Sequence, residues 1–254
     1  RRARRGRRVS PGISTTGPQE GAAVLTDPLF WLLVIPGLLL GVYAQSKIKA
    51  NYVKYSGIAT ENGLSGAQVA RRLLDSRGLQ DVRVEGTPGM LSDHYDPRTR
   101  TLRLSPEVYN TSSLAAAGIA AHETGHALQD ADDYFPMKLR ALIVPLAVLG
   151  SKTAPWFFFG GIFLGIAEAV WAGIVMFAAS TLFTLVTLPV ELDASRRARK
   201  LLVREHIIRD EQQMEGVGDV LNSAAWTYVA GAVSAVGSIV YLAAILFRRP
   251  RPVP

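Results

Sequence analysis

The sequence predicts an α+β membrane protein that is mostly helical, with about four transmembrane helices and a small polar lobe containing a short antiparallel sheet. Three observations support this fold class: long uncharged apolar segments, one extended polar stretch between residues 46 and 140, and strand-like alternation within that stretch. The apolar content of 48% in 254 residues also argues against an ordinary soluble protein.

Three uncharged segments are each long enough to cross the hydrocarbon core of a bilayer as a helix. They contain 19 residues between Asp27 and Lys47, 22 between Glu168 and Glu191, and 28 between Asp219 and Arg248. A fourth candidate, from Thr153 to Ala167, has 15 residues, and residues 141 to 150 could lengthen it. The sequence therefore predicts four spans, the second and third forming a hairpin.

These spans divide the chain into seven segments. We expect a disordered basic tail (1–23), transmembrane helix 1 (28–46), a folded lobe (47–140), transmembrane helices 2 and 3 (141–190), a polar helical segment (191–219), transmembrane helix 4 (220–247) and a basic tail (248–254). The first tail is rich in Arg, Gly, Ser, Thr and Pro, so it has too few apolar residues to form a core.

Within the lobe, local patterns predict two helices and two strands. Ser65 is a helix cap, and the helix that it begins should extend to about Arg77. Alternation in residues 81–85 and 101–105 predicts strands, with turn residues between them at positions 88–97. The Ala-rich segment 113–129 has no Pro and predicts a helix that enters the protein interior.

That last helix carries the motif His122-Glu123-Thr124-Gly125-His126, which has the pattern HExxH. On a helix the spacing of four residues places both imidazoles on one face, where their nitrogens can bind one zinc ion. Glu123 lies beside that face and can act as general base towards a water molecule, then return the proton to a leaving amine. The chain has no cysteine, so its metal ligands must be His and carboxylate side chains.

A catalytic zinc site usually has three protein ligands, so two histidines are incomplete. Because the hairpin returns the chain to the side of the histidines, both Glu191 and His206 are candidates for the third ligand. On one continuous helix these two residues would lie about 22 Å apart, so only one of them can bind the metal.

The segments SDHYDPRTRTLRLS, AAHETGHALQ and LVTLPVELDASRRA resemble the bacterial neutral zinc metallopeptidases of the YugP type over roughly residues 28 to 248. The motif, the hairpin and VELDASRRA are more distantly similar to other membrane zincins of the HExxH…E (gluzincin) class, the heat-shock membrane proteases and CaaX-prenyl proteases. The resemblance implies a zincin-like lobe, Zn²⁺ as cofactor, and an endopeptidase that hydrolyses membrane or membrane-proximal proteins.

The resemblance also implies roles for particular residues. Glu191, the first carboxylate after the hairpin, becomes the third zinc ligand. The broader relatives have an Asp four residues later that supports a zinc-bound His, and here Ser195 stands at that position, while Asp193 is expected to point elsewhere. The strand at 101–105 would be an edge strand that pairs with substrate or a plain structural strand. His94 is a candidate for binding substrate or the oxyanion, or for stabilising its turn.

The net charge of +7 comes largely from bases close to the predicted span ends, without the aromatic residues that accompany nucleic-acid binding. We therefore expect lipid headgroups and a protein or peptide substrate as partners, and no nucleic acid. The positive-inside rule places the lobe on the cytoplasmic side of a bacterial cell membrane. Two alternative functions remain: an inactive zinc-binding membrane adaptor, and a metal transporter, which is disfavoured because the spans lack His and Asp and only Glu168 lies between two of them.

Overall fold

The computed structural model describes residues 26–248. The predicted tails at 1–23 and 248–254 lie outside this range, except for Arg248. The helices are α1 (Pro28–Ser56), α2 (Gly66–Asp75), α3 (Pro106–Asn110), α4 (Leu114–Ala131), α5 (Phe135–Leu164), α6 (Ala167–Arg204) and α7 (Glu211–Arg248), and the strands are β1 (Arg83–Gly86), β2 (His94–Asp96) and β3 (Thr101–Leu104). The predicted fold class, mostly helical α+β with four candidate spans, is confirmed.

Four helices, α1, α5, α6 and α7, are long and apolar enough to cross a membrane. The apolar segment of α5 is Ala147–Leu164, which begins before the predicted 153–167 and ends earlier. The helix stops there because Gly165 adopts a left-handed conformation (φ 68°), and its N–H bonds the carbonyls of Gly161 and Ile162. The hairpin between α5 and α6 therefore has a tight, glycine-dependent turn.

Two helices of the polar lobe begin at serine caps, of which the sequence predicted Ser65. The Ser65 hydroxyl accepts a hydrogen bond from the Gln68 N–H, and the Gln68 side chain accepts one from the Ser65 N–H, which is a complete capping box. Ser113 caps α4 by accepting a bond from the Ala116 N–H at 3.1 Å. The helix that carries the HExxH motif therefore begins at a polar residue nine positions before His122.

The sheet has the order β1-β3-β2, with β1 parallel and β2 antiparallel to β3. It is therefore mixed, and not purely antiparallel as the sequence predicted. The prediction missed β2, a three-residue strand in the predicted turn region, because it is too short to show alternation. With β2 antiparallel to β3, the two predicted strands β1 and β3 pair in parallel. The interpretation of β3 as an edge strand is wrong because both of its sides are paired, and the free edges belong to β1 and β2.

The apolar core of the lobe joins α2, the sheet, α4 and the end of α6. Its fully buried side chains include Leu73, Leu102, Leu104, Leu114 and Leu202. Small residues let α4 approach its neighbours closely: a Cβ added to Gly125 would lie 2.6 Å from the backbone oxygen of Ala194 on α6. This close contact places α6 directly beside the HExxH motif.

Candidate active site

The structure brings His122, His126 and Glu191 together. The Nε2 atoms of His122 and His126 lie 3.1 Å and 3.5 Å from Oε2 of Glu191. One atom from each residue can be chosen so that all three lie within 4.8 Å of one another, which is compatible with binding a single ion. Within residues 26–248, this is the group of His and carboxylate side chains with metal-site spacing.

Glu191 reaches the histidines because α6 is one continuous helix from the membrane segment into the lobe. The sequence predicted a separate polar helical segment from residue 191, but the helix continues through Pro189. A proline removes one backbone hydrogen bond, a loss that neighbouring helices in a membrane bundle can compensate. His206 lies beyond the end of α6, is exposed, and is not part of the metal-site group.

Both histidines are oriented by hydrogen bonds to their second ring nitrogen. The Ser195 hydroxyl lies 3.1 Å from Nδ1 of His122, and Oε1 of Gln129 lies 2.9 Å from Nδ1 of His126. Because the amide oxygen can only accept, His126 donates from Nδ1, and in the neutral imidazole this leaves Nε2 with the lone pair that a metal ion could use. Ser195 thus contacts a histidine from the position where broader relatives are expected to have Asp.

Gln129 connects His126 to a second layer of polar groups. Its Nε2 donates to the carbonyl of Val190 at 2.7 Å and to Oδ2 of Asp193 at 3.0 Å. Arg197 in turn donates to Asp193 at 2.6 Å and pairs with Asp132. Asp193 thus points elsewhere than to a histidine, as expected, but it reaches His126 through Gln129. The signal in the sequence was the spacing of three residues between His126 and Gln129.

The candidate His94 lies close to these ligands. It begins β2 and lines a cavity that also contains them, with Nδ1 held 2.8 Å from the carbonyl of Ser92. Asp130 accepts a 2.8 Å bond from the Tyr95 hydroxyl and so connects β2 to α4. Burial, together with this bond to Asp130, raises the pKa of the Tyr95 hydroxyl, which therefore stays protonated at neutral pH and keeps donating.

Glu123 and the three candidate ligands line a cavity of about 580 Å³. The cavity lies where the lobe meets the candidate spans, and its walls include Ile48 and Tyr52 of α1, Ala141 and Val144 of α5, and Leu221 and Thr227 of α7. A substrate in this cavity would contact the polar lobe and the membrane helices together.

One residue of the cavity that the sequence did not single out contacts Glu191. Arg140 of α5 donates from Nη1 to Oε1 of Glu191 at 2.7 Å. It has no characteristic spacing from the motif, so only the packing of the helices shows its role.

Comparison with known proteins identifies a family for this chain. The model of the family described as "Putative neutral zinc metallopeptidase" matches residues 30–247. The "Putative membrane protease YugP" of Bacillus subtilis is 46% identical over 205 residues, which cover 81% of this chain and 91% of that protein. No solved structure matches. The geometry of the site and both sequence matches lead to one conclusion: the chain belongs to the neutral zinc metallopeptidase family.

Proposed function

We propose that the chain is a zinc-dependent endopeptidase that cuts membrane or membrane-proximal proteins. The observation that supports this most strongly is the convergence of His122, His126 and Glu191 beside Glu123 in one cavity. Two imidazoles and one carboxylate form a ligand set that is typical of catalytic zinc sites with a position left for water.

The residues present fit zinc in their chemistry. Both Nδ1 atoms are engaged by Ser195 and Gln129, so the remaining ring nitrogens face Glu191. Such outer hydrogen bonds are a usual feature of histidines that bind zinc. When bound, zinc lowers the pKa of a coordinated water to about 7 and polarises a substrate carbonyl.

Glu123 supplies the proton transfers. It follows His122 directly, and its largely buried side chain lines the cavity. Its carboxylate would accept a proton from the water whose oxygen attacks the peptide carbonyl carbon. As the C–N bond breaks, the same proton passes to the leaving amine, and a carboxylic acid and an amine leave as products.

The walls of the cavity support a substrate near the membrane. Extended peptide could pair with the free edge of β2, where His94 would contact the substrate backbone or its developing oxyanion. Apolar substrate side chains would pack against residues of α1, α5 and α7. This combination favours segments that emerge from the bilayer.

The direct test is cleavage of an unfolded reporter protein by the purified chain in lipid nanodiscs. Cleavage should require zinc, stop when a chelator removes it, and return when zinc is added back. If the zinc-loaded chain cleaves neither unfolded proteins nor membrane-anchored peptides, the inactive adaptor becomes the better description. Zinc uptake into proteoliposomes would instead support a transporter.

The orientation of the lobe can be tested by thiol labelling, because the chain contains no cysteine of its own. Glu211, at the exposed start of α7, lies at the lobe end of the helices, whereas exposed Ile166 lies in the opposite turn. With the lobe in the cytoplasm, Glu211→Cys should resist a membrane-impermeant thiol reagent in intact cells and Ile166→Cys should react. The reverse pattern would overturn the cytoplasmic orientation.

A further inference from the structure

We propose that Arg140 is a positioning residue that holds Glu191 as a one-oxygen ligand of the metal, acting from the helix that follows the catalytic helix. The inference rests on the proposed zinc site and adds a residue that the HExxH…E pattern does not contain.

The two oxygens of Glu191 face different partners. Oε2 is the atom nearest to both histidines, at 3.1 Å and 3.5 Å, whereas Oε1 lies 2.7 Å from Nη1 of Arg140. Glu191 is 5% exposed, so water can do little to solvate the oxygen that faces away from the histidines. A buried carboxylate oxygen needs a donor, and a guanidinium supplies a charged one with fixed geometry.

The two oxygens of the Glu191 carboxylate therefore have different roles. With Oε1 bound to Arg140, rotation of the carboxylate would break a charge-assisted hydrogen bond, so Oε2 stays directed at the histidines. The third ligand, on α6, is thus held by a residue of α5, the helix that precedes it in the sequence.

Without Arg140, Oε1 would lose its charged donor and the carboxylate would be free to turn or to offer both oxygens to the metal. Removing a group that orients a metal ligand typically weakens metal affinity about 10- to 100-fold. We expect a loss of this size for Arg140→Ala and recovery of most of it in Arg140→Lys, which keeps a charged donor but lacks the planar geometry of the guanidinium.

The test measures zinc affinity by competition with a chromophoric chelator, using the full chain in nanodiscs. Arg98→Ala is the matched control, because Arg98 is an exposed arginine on the wall of the same cavity and should not affect zinc binding. The visible spectrum of the Co²⁺-loaded chain gives a second readout. It should change in Arg140→Ala if the number of carboxylate oxygens at the metal changes, and stay as in the unmodified chain in Arg98→Ala.

Equal zinc affinity and equal Co²⁺ spectra for Arg140→Ala and the unmodified chain would overturn the proposal. If Arg140→Ala does not fold, the comparison is made between Arg140→Lys, which keeps the charge, and Arg140→Gln, which removes it. Equal zinc affinities for these two variants would show that the charge has no positioning effect. None of these measurements needs proteolysis. A chain that binds zinc in this way but cleaves nothing would contradict the proposed function alone, and a chain that binds no zinc would contradict both.

Discussion

Glu123→Gln should lower peptide hydrolysis by about 10²- to 10⁴-fold while leaving zinc bound, since general acid–base groups contribute factors of this size. The amide has nearly the same volume as the carboxylate, so the cavity and the two histidines of the motif should keep their positions. What it loses is the ability to accept a proton from the attacking water. The measurement is turnover of a reporter peptide together with the zinc content of the same preparation.

The matched control for this variant is Glu107→Gln, which makes the same chemical change at an exposed position in α3. It should retain full turnover. If Glu123→Gln keeps near-normal turnover with zinc bound, Glu123 is not the general base, and another group of the cavity must take the proton.

The second large effect is expected at Glu191. Glu191→Ala removes one of three candidate ligands, so the chain should purify with little zinc and no activity, whereas His206→Ala should keep both. Removing a protein ligand should weaken zinc binding by orders of magnitude, because two histidines alone form an incomplete site. His206 lies beyond the end of α6, outside the group that could hold a metal, so its loss should leave the site intact.

Metal analysis of the two variants at equal fold quality decides between the residues. Loss of zinc in His206→Ala with retention in Glu191→Ala would mean that the helix after the membrane hairpin does not complete the site. Glu191→Ala also has a second effect, because it leaves Arg140 without its carboxylate partner. A slightly lower melting temperature than for His206→Ala is therefore expected even in zinc-free protein.

Much of this architecture is local in origin and could be predicted. Helix caps such as Ser65 and Ser113 act within one turn, and the spans follow from uninterrupted apolar composition. Caps and spans can therefore both be recognised in a short stretch of sequence. The HExxH motif also lies within two helical turns. For these elements, the residues that determine the structure are neighbours in the chain.

The remaining features depend on contacts between distant segments. Strand β2 has three residues and exists because β3 offers it a pairing edge, which no local pattern reveals. Arg140 and Glu191 are 51 positions apart and meet only because α5 packs on α6. Ser195 could be placed on the correct helix, but its contact with His122 depends on how closely Gly125 allows the helices to approach.

The continuity of α6 through Pro189 has a consequence for where the proposed protease would cut. At 1.5 Å per residue, the helix rises about 36 Å from Ala167 to Glu191, compared with about 30 Å for the hydrocarbon core of a bilayer. With Ala167 at one bilayer surface, α6 would therefore place the Glu191 carboxylate at roughly the level of the lipid headgroups on the other side. For the proposed protease, peptide bonds just outside the bilayer would lie within reach of the site, and those farther away would have to move towards it.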